Sequence, residues 1–398
     1  MDEQSVLVEQ HLRPPRGLFD GEIMRPRAVV GRIKAQARDS RVHNRALVLA
    51  TLFHQGAMSR AGLARVTGLT APTVSALVAD LEADGLVADT DSPVEGGRRR
   101  GKPSMLVEIQ DGARTLVTVD LSPSDVFRGA VTDIRGRVLA RAEVALADAY
   151  AQEAEQLLRE LVSRLMALAP SRVLGIGVAA PGIVDDAGVV RQAAHLRWSD
   201  FPMARCLTEW FGVPAYVGND VNLAALAVLR FGGAWSKNVM VVSIEHGVGA
   251  GLVVGGQLVE GEQFAAGEIG HITVEADGGA CVCGRRGCLD LLASAGHLRA
   301  RLERADSSER AAVLAGAGQG LGGVLAPIVS LLNLNEVVLV GPADLVRGPF
   351  LQAVKETACA RAHSPVSASL EVRSVPDELD LVLLGGACLV QSGELGVF

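Results

Sequence analysis

The sequence predicts an α/β protein: a small N-terminal winged helix-turn-helix, then a larger body made of two related α/β halves. Three observations carry this. Between His43 and Ala83 a broad apolar helical stripe precedes two capped helices joined at a glycine, with a hairpin pattern after them. From Thr115 the elements run βββαβα, and a like order begins again at Val239. The chain has 398 residues, too many for one typical domain, so two or three are expected.

Residues 1–40 hold Pro14, Pro15 and Pro26 among scattered arginines without a sustained period. They read as a flexible extension with some helix near Ala28–Arg38. The winged module is expected over 41–110. Within Asn44–His54, Leu47, Val48, Leu49, Leu52 and Phe53 form the apolar stripe. Ser59 is placed to cap a short helix, Arg60–Val66, with Leu63 and Val66 inward. Gly68 ends it as a left-handed cap, and Leu69 plugs the turn. Thr70 caps the next helix, with Pro72 in its first turn, where a missing N–H costs nothing. That helix runs to about Ala83 with Val74, Leu77, Val78 and Leu81 inward, and Gly85 stops it. Leu86–Ala88 and Ser104–Ile109 can pair around a tip, Glu95–Lys102, rich in glycine and arginine.

In such a module the second helix enters the major groove by its N-terminal residues. Thr70, Thr73 and Ser75 are then the candidate DNA contacts, beside Ala71 and Ala76, which allow close approach. The hairpin tip would bring Arg98, Arg99, Arg100 and Lys102 to phosphates or a narrow minor groove. A protein-docking bundle and a solvated arginine loop are the plainer alternatives. All these features in this order favour double-stranded DNA.

The body is expected over 111–398. Thr115–Leu121, Val126–Thr132 and Val138–Val144 read as strands, and Ala151–Ala169 as a helix apolar at Leu157, Leu158, Leu161, Leu165 and Leu168. Val173–Val178 is a buried strand. Tyr216–Gly218 is another, delivering Asn219 and Asp220 to the head of a helix over Val221–Phe231. The second half has strands at Val239–Ile244, Ala250–Val254, Gln257–Val259, Val337–Val340 and Leu370–Val372. Its helices are expected near Leu292–Arg304, Ala311–Leu332 and Phe350–Arg361.

The densest chemistry lies at 267–290, reading GEIGH, nine residues, then CVCGRRGCLD. It gathers His271, Cys281, Cys283 and Cys288, using three of the six cysteines. One imidazole and three thiolates close a tetrahedral zinc shell with no open position, so a structural zinc is expected. Gly284 and Gly287 let the backbone turn sharply enough to aim Cys283 and Cys288 at one ion. A disulfide is the alternative. It is disfavoured in a chain with no signal-peptide pattern at its start, read as cytoplasmic.

GEIGH followed by CxCGxxGC resembles the signature of the ROK family (repressors, open reading frames and kinases), over about 115–398. The segment SRAGLARVTGLTAPTVSALVADLEADGLV is similar to the DNA-binding half of ROK repressors. The resemblance implies a two-lobed actin-like (ribonuclease-H-like) ATPase fold whose lobes meet in a cleft, and a sugar or sugar derivative bound there. It implies sugar contacts from Gly182 in APGIV, Asn219, Asp220, Glu268, His271 and Asp290. Polyols are recognised by carboxylates and amides that take hydroxyls in pairs. His271 can serve twice, one ring nitrogen on the metal and the other on a hydroxyl. Each residue also has a plainer role: Asp220 can cap its helix, Glu268 can be a surface carboxylate, and Gly182 a turn. Asp290 stands where the family usually has glutamate, which withdraws the carboxylate by about 1.5 Å.

The nucleotide elements depart from the kinase pattern. The first phosphate loop of ROK kinases reads DxGGTK; here it is Asp120-Leu121-Ser122-Pro123-Ser124-Asp125. Pro123 removes a backbone donor and Asp125 adds a negative charge. The second, GTGxGxG in kinases, is Glu245-His246-Gly247-Val248-Gly249-Ala250-Gly251. Gly341-Pro342 stands where kinases tend to have paired glycines. The preferred reading is a regulator, by default a repressor, that senses a sugar and is not an enzyme. The alternatives are a sugar kinase carrying a DNA-binding domain, with Asp220 as its general base, and a regulator answering a non-sugar ligand or a protein partner.

The bulk properties agree. Residues 1–104 carry 15 Lys+Arg against 12 Asp+Glu, net +3, and residues 105–398 carry 23 against 33, net −10. A basic front end on an acidic body suits an attached nucleic-acid module. No uninterrupted apolar run reaches the roughly 18 residues of a membrane span, so no membrane partner is expected. A homodimer or homotetramer on a palindromic operator is the expected working form.

Overall fold

The structure is a computed structural model that describes residues 37–90, 105–231, 236–375 and 380–397. The N-terminal module holds α1 (Ala37–Gln55), β1 (Met58–Ser59), α2 (Arg60–Thr67), α3 (Ala71–Ala83), β2 (Val87–Thr90) and β3 (Leu106–Ile109). Helix α1 begins ahead of the stripe at Asn44, inside the segment expected to be an extension. Ser59 Oγ accepts from Gly62 N at 3.1 Å, and Gly68, at φ +72°, closes α2 in the left-handed conformation. β3 pairs antiparallel with both β1 and β2, giving the sheet of a winged helix. The tip over Glu95–Lys102, with Arg98, Arg99, Arg100 and Lys102, lies outside the described residues, as do residues 1–36.

The body repeats one topology twice. In the first lobe β4 (Thr115–Asp120), β5 (Val126–Asp133) and β6 (Val138–Ala145) form an antiparallel meander, and α4 (Ala151–Leu168) crosses over. β7 (Val173–Ala180) then pairs parallel with β4, and β11 (Ala215–Asn219) parallel with β7. In the second lobe β12 (Val239–Ile244), β13 (Val248–Val254) and β14 (Gln257–Leu258) form the meander. β15 (Glu336–Val340) and β16 (Glu371–Ser374) add in parallel. Both sheets thus share the spatial order third, second, first, fourth, fifth strand, which is why the sequence reads as two related halves. Each lobe has its own apolar core, around Phe127 and Leu158 in the first and Leu325 and Phe350 in the second.

Several elements escape the sequence pattern. β8 (Ile183–Val184), β9 (Val190–Ala193) and β10 (Trp198–Phe201) form a small separate sheet, followed by α5 (Met203–Phe211). The expected helix over Leu292–Arg304 is α7 (Leu289–Ala293) and α8 (Ala295–Arg304), broken at Ser294, which is extended. The long α9 (Arg310–Leu332), with mean hydropathy 1.6, is the one described helix long and apolar enough to cross a membrane. It instead packs on α11 (Pro349–Arg361), where a side chain at Gly318 would meet Phe350 O at 2.4 Å. Short helices α10 (Ala343–Val346) and α12 (Ser364–Ser367) flank α11.

The last helix, α13 (Leu381–Val390), packs against α6 (Asp220–Arg230), β7 and β4. At Gly177 on β7 a Cβ would stand 2.0 Å from Gly386 O, so the helix lies directly on the strand backbone. The chain beyond α13 returns to the N-terminal module, where Leu395 and Val397 join Val48, Leu52, Leu63 and Leu81 in one core. Gln391 Nε2 donates to Ile134 O at 2.8 Å beside them. The winged module is therefore packed onto the body rather than tethered to it.

Candidate functional site

Strand β11 ends at the cleft and α6 starts there. Asn219, in extended conformation, is the N-cap, its Oδ1 accepting from Asn222 N at 3.0 Å. Capping is thus the work of Asn219. Asp220 Oδ1 accepts from Val221 N and Asn219 Nδ2, both at 2.9 Å, and Asn219 Nδ2 also reaches Gly182 O at 2.9 Å. Gly182 has φ +83°, and a Cβ there would stand 2.0 Å from Gln192 O, so only glycine fits between β8 and β9. Burial first, then the charge of Asp120, raises the Asp220 carboxyl to about 7.

From the second lobe come Glu268, His271 and Asp290. The 3-10 turn Ile269–His271 presents the imidazole, with Nε2 3.9 Å from Glu268 Oε2 and Nδ1 3.6 Å from Asp290 Oδ2. Gly270 allows this: a Cβ would stand 2.2 Å from Asp290 Oδ1 and 2.3 Å from Val248 O. Asp220 feels the charge of Glu268, and Glu268 that of His271 and Asp290. The expected polar set thus converges from both lobes. The shortened Asp290 is not idle, because its Oδ1 accepts from Val248 N at 2.7 Å in the GVGAG segment. It ties the loop at 245–251 to the helix that follows the cysteines.

His271, Cys281, Cys283 and Cys288 offer four ligand atoms all within 4.8 Å of one another. Cys283 and Cys288 sulfurs are 3.6 Å apart and Cys281 Sγ is 3.7 Å from His271 Nδ1. Tetrahedral zinc with bonds of about 2.3 Å to sulfur sets its ligands about 3.7 Å apart, so the donor set and its spacing fit. Gly284 and Gly287 have φ +85° and +64°, and a Cβ at Gly287 would overlap Glu275 O at 1.6 Å. His271 Nδ1 lies beside both Cys281 Sγ and Asp290 Oδ2, and its Nε2 lies on the side of Glu268.

A cavity of about 520 Å³ lies between the loops at 120–125 and 245–251 and reaches Gly341-Pro342. Five carboxylates line it, from Asp125, Glu143, Asp220, Glu245 and Asp380, against Arg128 and His246. Arg128 is spent on Asp120: Nε and Nη2 lie 2.8 and 2.7 Å from its Oδ2, and Asp120 is fully buried. Ser122 N donates to the other oxygen at 2.9 Å. Across the cleft, Ser124 N donates to His246 Nε2 at 3.0 Å, joining the two loops directly. Sequence reading missed Arg128 and this bridge. The hairpin β4–β5 pairs Asp120 with Arg128, so that ion pair was readable from register; nothing local announces a bond between residues 122 apart.

On the winged module, Thr70 caps α3, its Oγ1 accepting from Thr73 N at 3.3 Å and lying 2.8 Å from Thr73 Oγ1. Ser75 is exposed on the same helix. The acidic end of α3 is covered within the module: Arg41 pairs with Asp80, Arg45 with Asp84 at 2.6 Å, and Arg60 with Glu82 at 2.7 Å.

The sequence matches the ROK family over residues 124–391 and the MarR family over 43–99. It is 30% identical to the xylose repressor of Bacillus subtilis strain 168 over 255 residues, 63% of this chain and 65% of that protein. The chain thus spans under two thirds of that relative's length. It is 33% identical to a glucokinase of Halalkalibacterium halodurans, over 56% of this chain and 78% of the enzyme. The DNA-binding transcriptional dual regulator NagC of Escherichia coli K12 is 27% identical over 80% of this chain and 86% of its own. A solved ROK family transcriptional regulator, homologous to the E. coli MLC protein, superposes with TM-score 0.77 at 21% identity. That match covers 89% of this chain and 98% of the other, which establishes the fold: an N-terminal winged helix-turn-helix followed by the two-lobed ROK fold.

Proposed function

We propose that this chain, which belongs to the ROK family, is a DNA-binding transcriptional regulator whose kinase-like lobes sense a sugar or sugar derivative. The observation that carries the reading is the state of the phosphate loops. Arg128 neutralises Asp120, His246 takes the Ser124 N–H, and the space left is lined by carboxylates. A triphosphate entering it would meet like charge and find the N–H groups of Ser122, Ser124 and Val248 already engaged. The polyol-type residues Asn219, Asp220, Glu268, His271 and Asp290 meanwhile remain convergent. Relatives named as repressors support a regulator, and the glucokinase relative keeps the kinase reading as the runner-up.

In this reading the chain acts in the cytoplasm as a homodimer or homotetramer on a palindromic operator. Thr70, Thr73 and Ser75 approach the major groove, and Arg98, Arg99, Arg100 and Lys102 take phosphates. Gly182 lets the ligand approach the backbone. Asp220 and Asn219 take hydroxyls from one side, Glu268, His271 Nε2 and Asp290 from the other. A structural zinc on His271, Cys281, Cys283 and Cys288 would fix the imidazole and stiffen the segment that carries it. Cleft closure then respaces paired recognition helices and releases the operator, so repression is the default. Operator duplex selected from random DNA, titrated with monosaccharides while ADP is monitored, separates the readings. Release without ATP turnover supports the regulator; sugar-dependent ADP formation supports the kinase.

A further inference from the structure

The six cysteines of the chain are all free thiols, and they differ in access. Cys281, Cys288 and Cys388 are buried, Cys206 and Cys359 half-buried, and Cys283 alone is exposed. Cys283 also sits at a tip. Cys281 N donates to Arg285 O at 2.8 Å and Gly284 N to Cys281 O at 3.0 Å, which closes a tight turn around Val282 and Cys283. Val282 stands 99% exposed on that turn.

A second sulfur lies close beneath it. Cys288 is 1% exposed, and its Sγ is 3.6 Å from that of Cys283, against about 2.05 Å in a disulfide. The positive φ of Gly284 and Gly287 turns the chain back so that both cysteines meet at one point. Cys288 is shielded from reagents in solvent and Cys283 is not. An accessible thiolate beside a second sulfur is the arrangement of a redox-sensing pair, one to be attacked and one to resolve. In the zinc reading both sulfurs are thiolates already, because a coordinating thiol is deprotonated outright.

We propose that Cys283 and Cys288 are a peroxide-sensitive pair whose oxidation to a disulfide empties the metal site. The Cys283 sulfur attacks one oxygen of hydrogen peroxide. An S–O bond forms, the O–O bond breaks and hydroxide leaves, giving a sulfenic acid. The Cys288 sulfur then attacks the Cys283 sulfur. The S–S bond forms, the S–O bond breaks and a second hydroxide leaves. Two thiolates lose two electrons, the peroxide gains them, and both hydroxides take up protons as water. Cys281 and His271 alone do not complete a tetrahedral shell, so the site no longer holds the ion. The effect falls on the cleft: His271 loses the anchor of its ring, and Asp290 lies two residues past Cys288. In a chain read as cytoplasmic, a transient redox-sensing disulfide is the kind that occurs. The proposal rests on the zinc reading and on neither the sugar nor the operator.

The test is stepwise addition of hydrogen peroxide to full-length protein purified without chelator. Released zinc is read with a chromogenic chelator, and free thiols are counted after denaturation. At one equivalent per chain, about one zinc should appear and two of the six thiols should vanish. Arg285 and Arg286 separate the two cysteines, so trypsin should leave them on different peptides joined only by the new bond. Dithiothreitol with added zinc should restore both counts. Cys206→Ser combined with Cys359→Ser removes the half-buried thiols and should leave zinc release unchanged. A bond within the Cys281–Cys283 peptide, Cys283 ending as sulfinic acid, or release abolished in the double variant would each overturn the proposal. Zinc content measured before peroxide separates the remaining failures. No zinc sinks the metal reading and this proposal together, whereas zinc that stays bound as thiols are lost sinks the proposal alone.

Discussion

Arg230, in the last turn of α6, holds its guanidinium carbon 4.5 Å from the centre of the Phe53 ring of α1. Its Nη1 lies 2.8 Å from His54 Nδ1. Burial, then the Arg230 charge, holds His54 below its usual range, so the ring stays neutral and accepts. Arg135 stands over the same Phe53 at 5.0 Å and donates from Nη1 to Phe53 O at 3.1 Å. The other end of α6 is Asp220, in the cleft. One helix of 11 residues, about 16 Å long, thus runs from the candidate sugar site to the DNA-binding module.

Removing that contact should uncouple the two ends. Arg230→Ala is expected to cost about 1 kcal/mol of stability through the lost cation–π contact. Sugar should still raise the melting temperature of the variant as in the parent. Sugar should no longer weaken its operator affinity, read by fluorescence anisotropy. Undiminished release would remove α6 from the coupling.

The metal prediction is stoichiometric. Protein purified without chelator should contain one zinc per chain by elemental analysis. Cys283→Ser should lose the metal and lower the melting temperature, and it should weaken sugar binding because His271 loses its anchor. Well under one zinc per chain contradicts this.

Asp220 gives a pH prediction. Its folded value, about 7, lies above the unfolded 3.8, so between these the folded state binds more protons. Stability from this group is full at low pH and is lost as pH rises from about 4 through 7. Asp220→Asn should therefore raise the melting temperature at pH 8 more than at pH 5, while abolishing sugar binding. An equal change at both values would mean that Asp220 titrates normally.

The wing can be tested by salt. Changing Arg99 and Arg100 together to alanine should weaken operator binding and flatten the slope of log affinity against log salt by about 1.8, at about 0.9 per phosphate contact. Thr73→Ala should weaken the selected operator and spare non-specific DNA, because base-edge contacts carry sequence and phosphate contacts do not.

How much of this was readable depended on whether a signal was local. The His271–Cys288 cluster sits in a short stretch with its own glycines, and the caps at Ser59, Thr70 and Gly68 follow from single residues, so these came through intact. α13 did not. Its ten residues, Leu381–Val390, are mostly apolar all round because strands and α6 surround them, so no stripe appears, and Gly385-Gly386 lower helix propensity. Those glycines pack against α6 and β7: a Cβ at Gly385 would meet Leu223 O at 2.2 Å. The return of Leu395 and Val397 to the winged module, and the bond from Ser124 to His246, join segments remote in sequence. Only the folded chain brings them together.

The most direct test is a titration of the operator-bound protein with a panel of hexoses, pentoses and N-acetylated sugars, each with and without Mg-ATP, read by anisotropy together with ADP formation. At least one sugar should lower operator affinity about ten-fold or more, a coupling of about 1.4 kcal/mol, with the same effect whether ATP is present or not and no ADP formed. Sugar-dependent ADP release, or an operator complex indifferent to every sugar in the panel, would contradict the sensor reading.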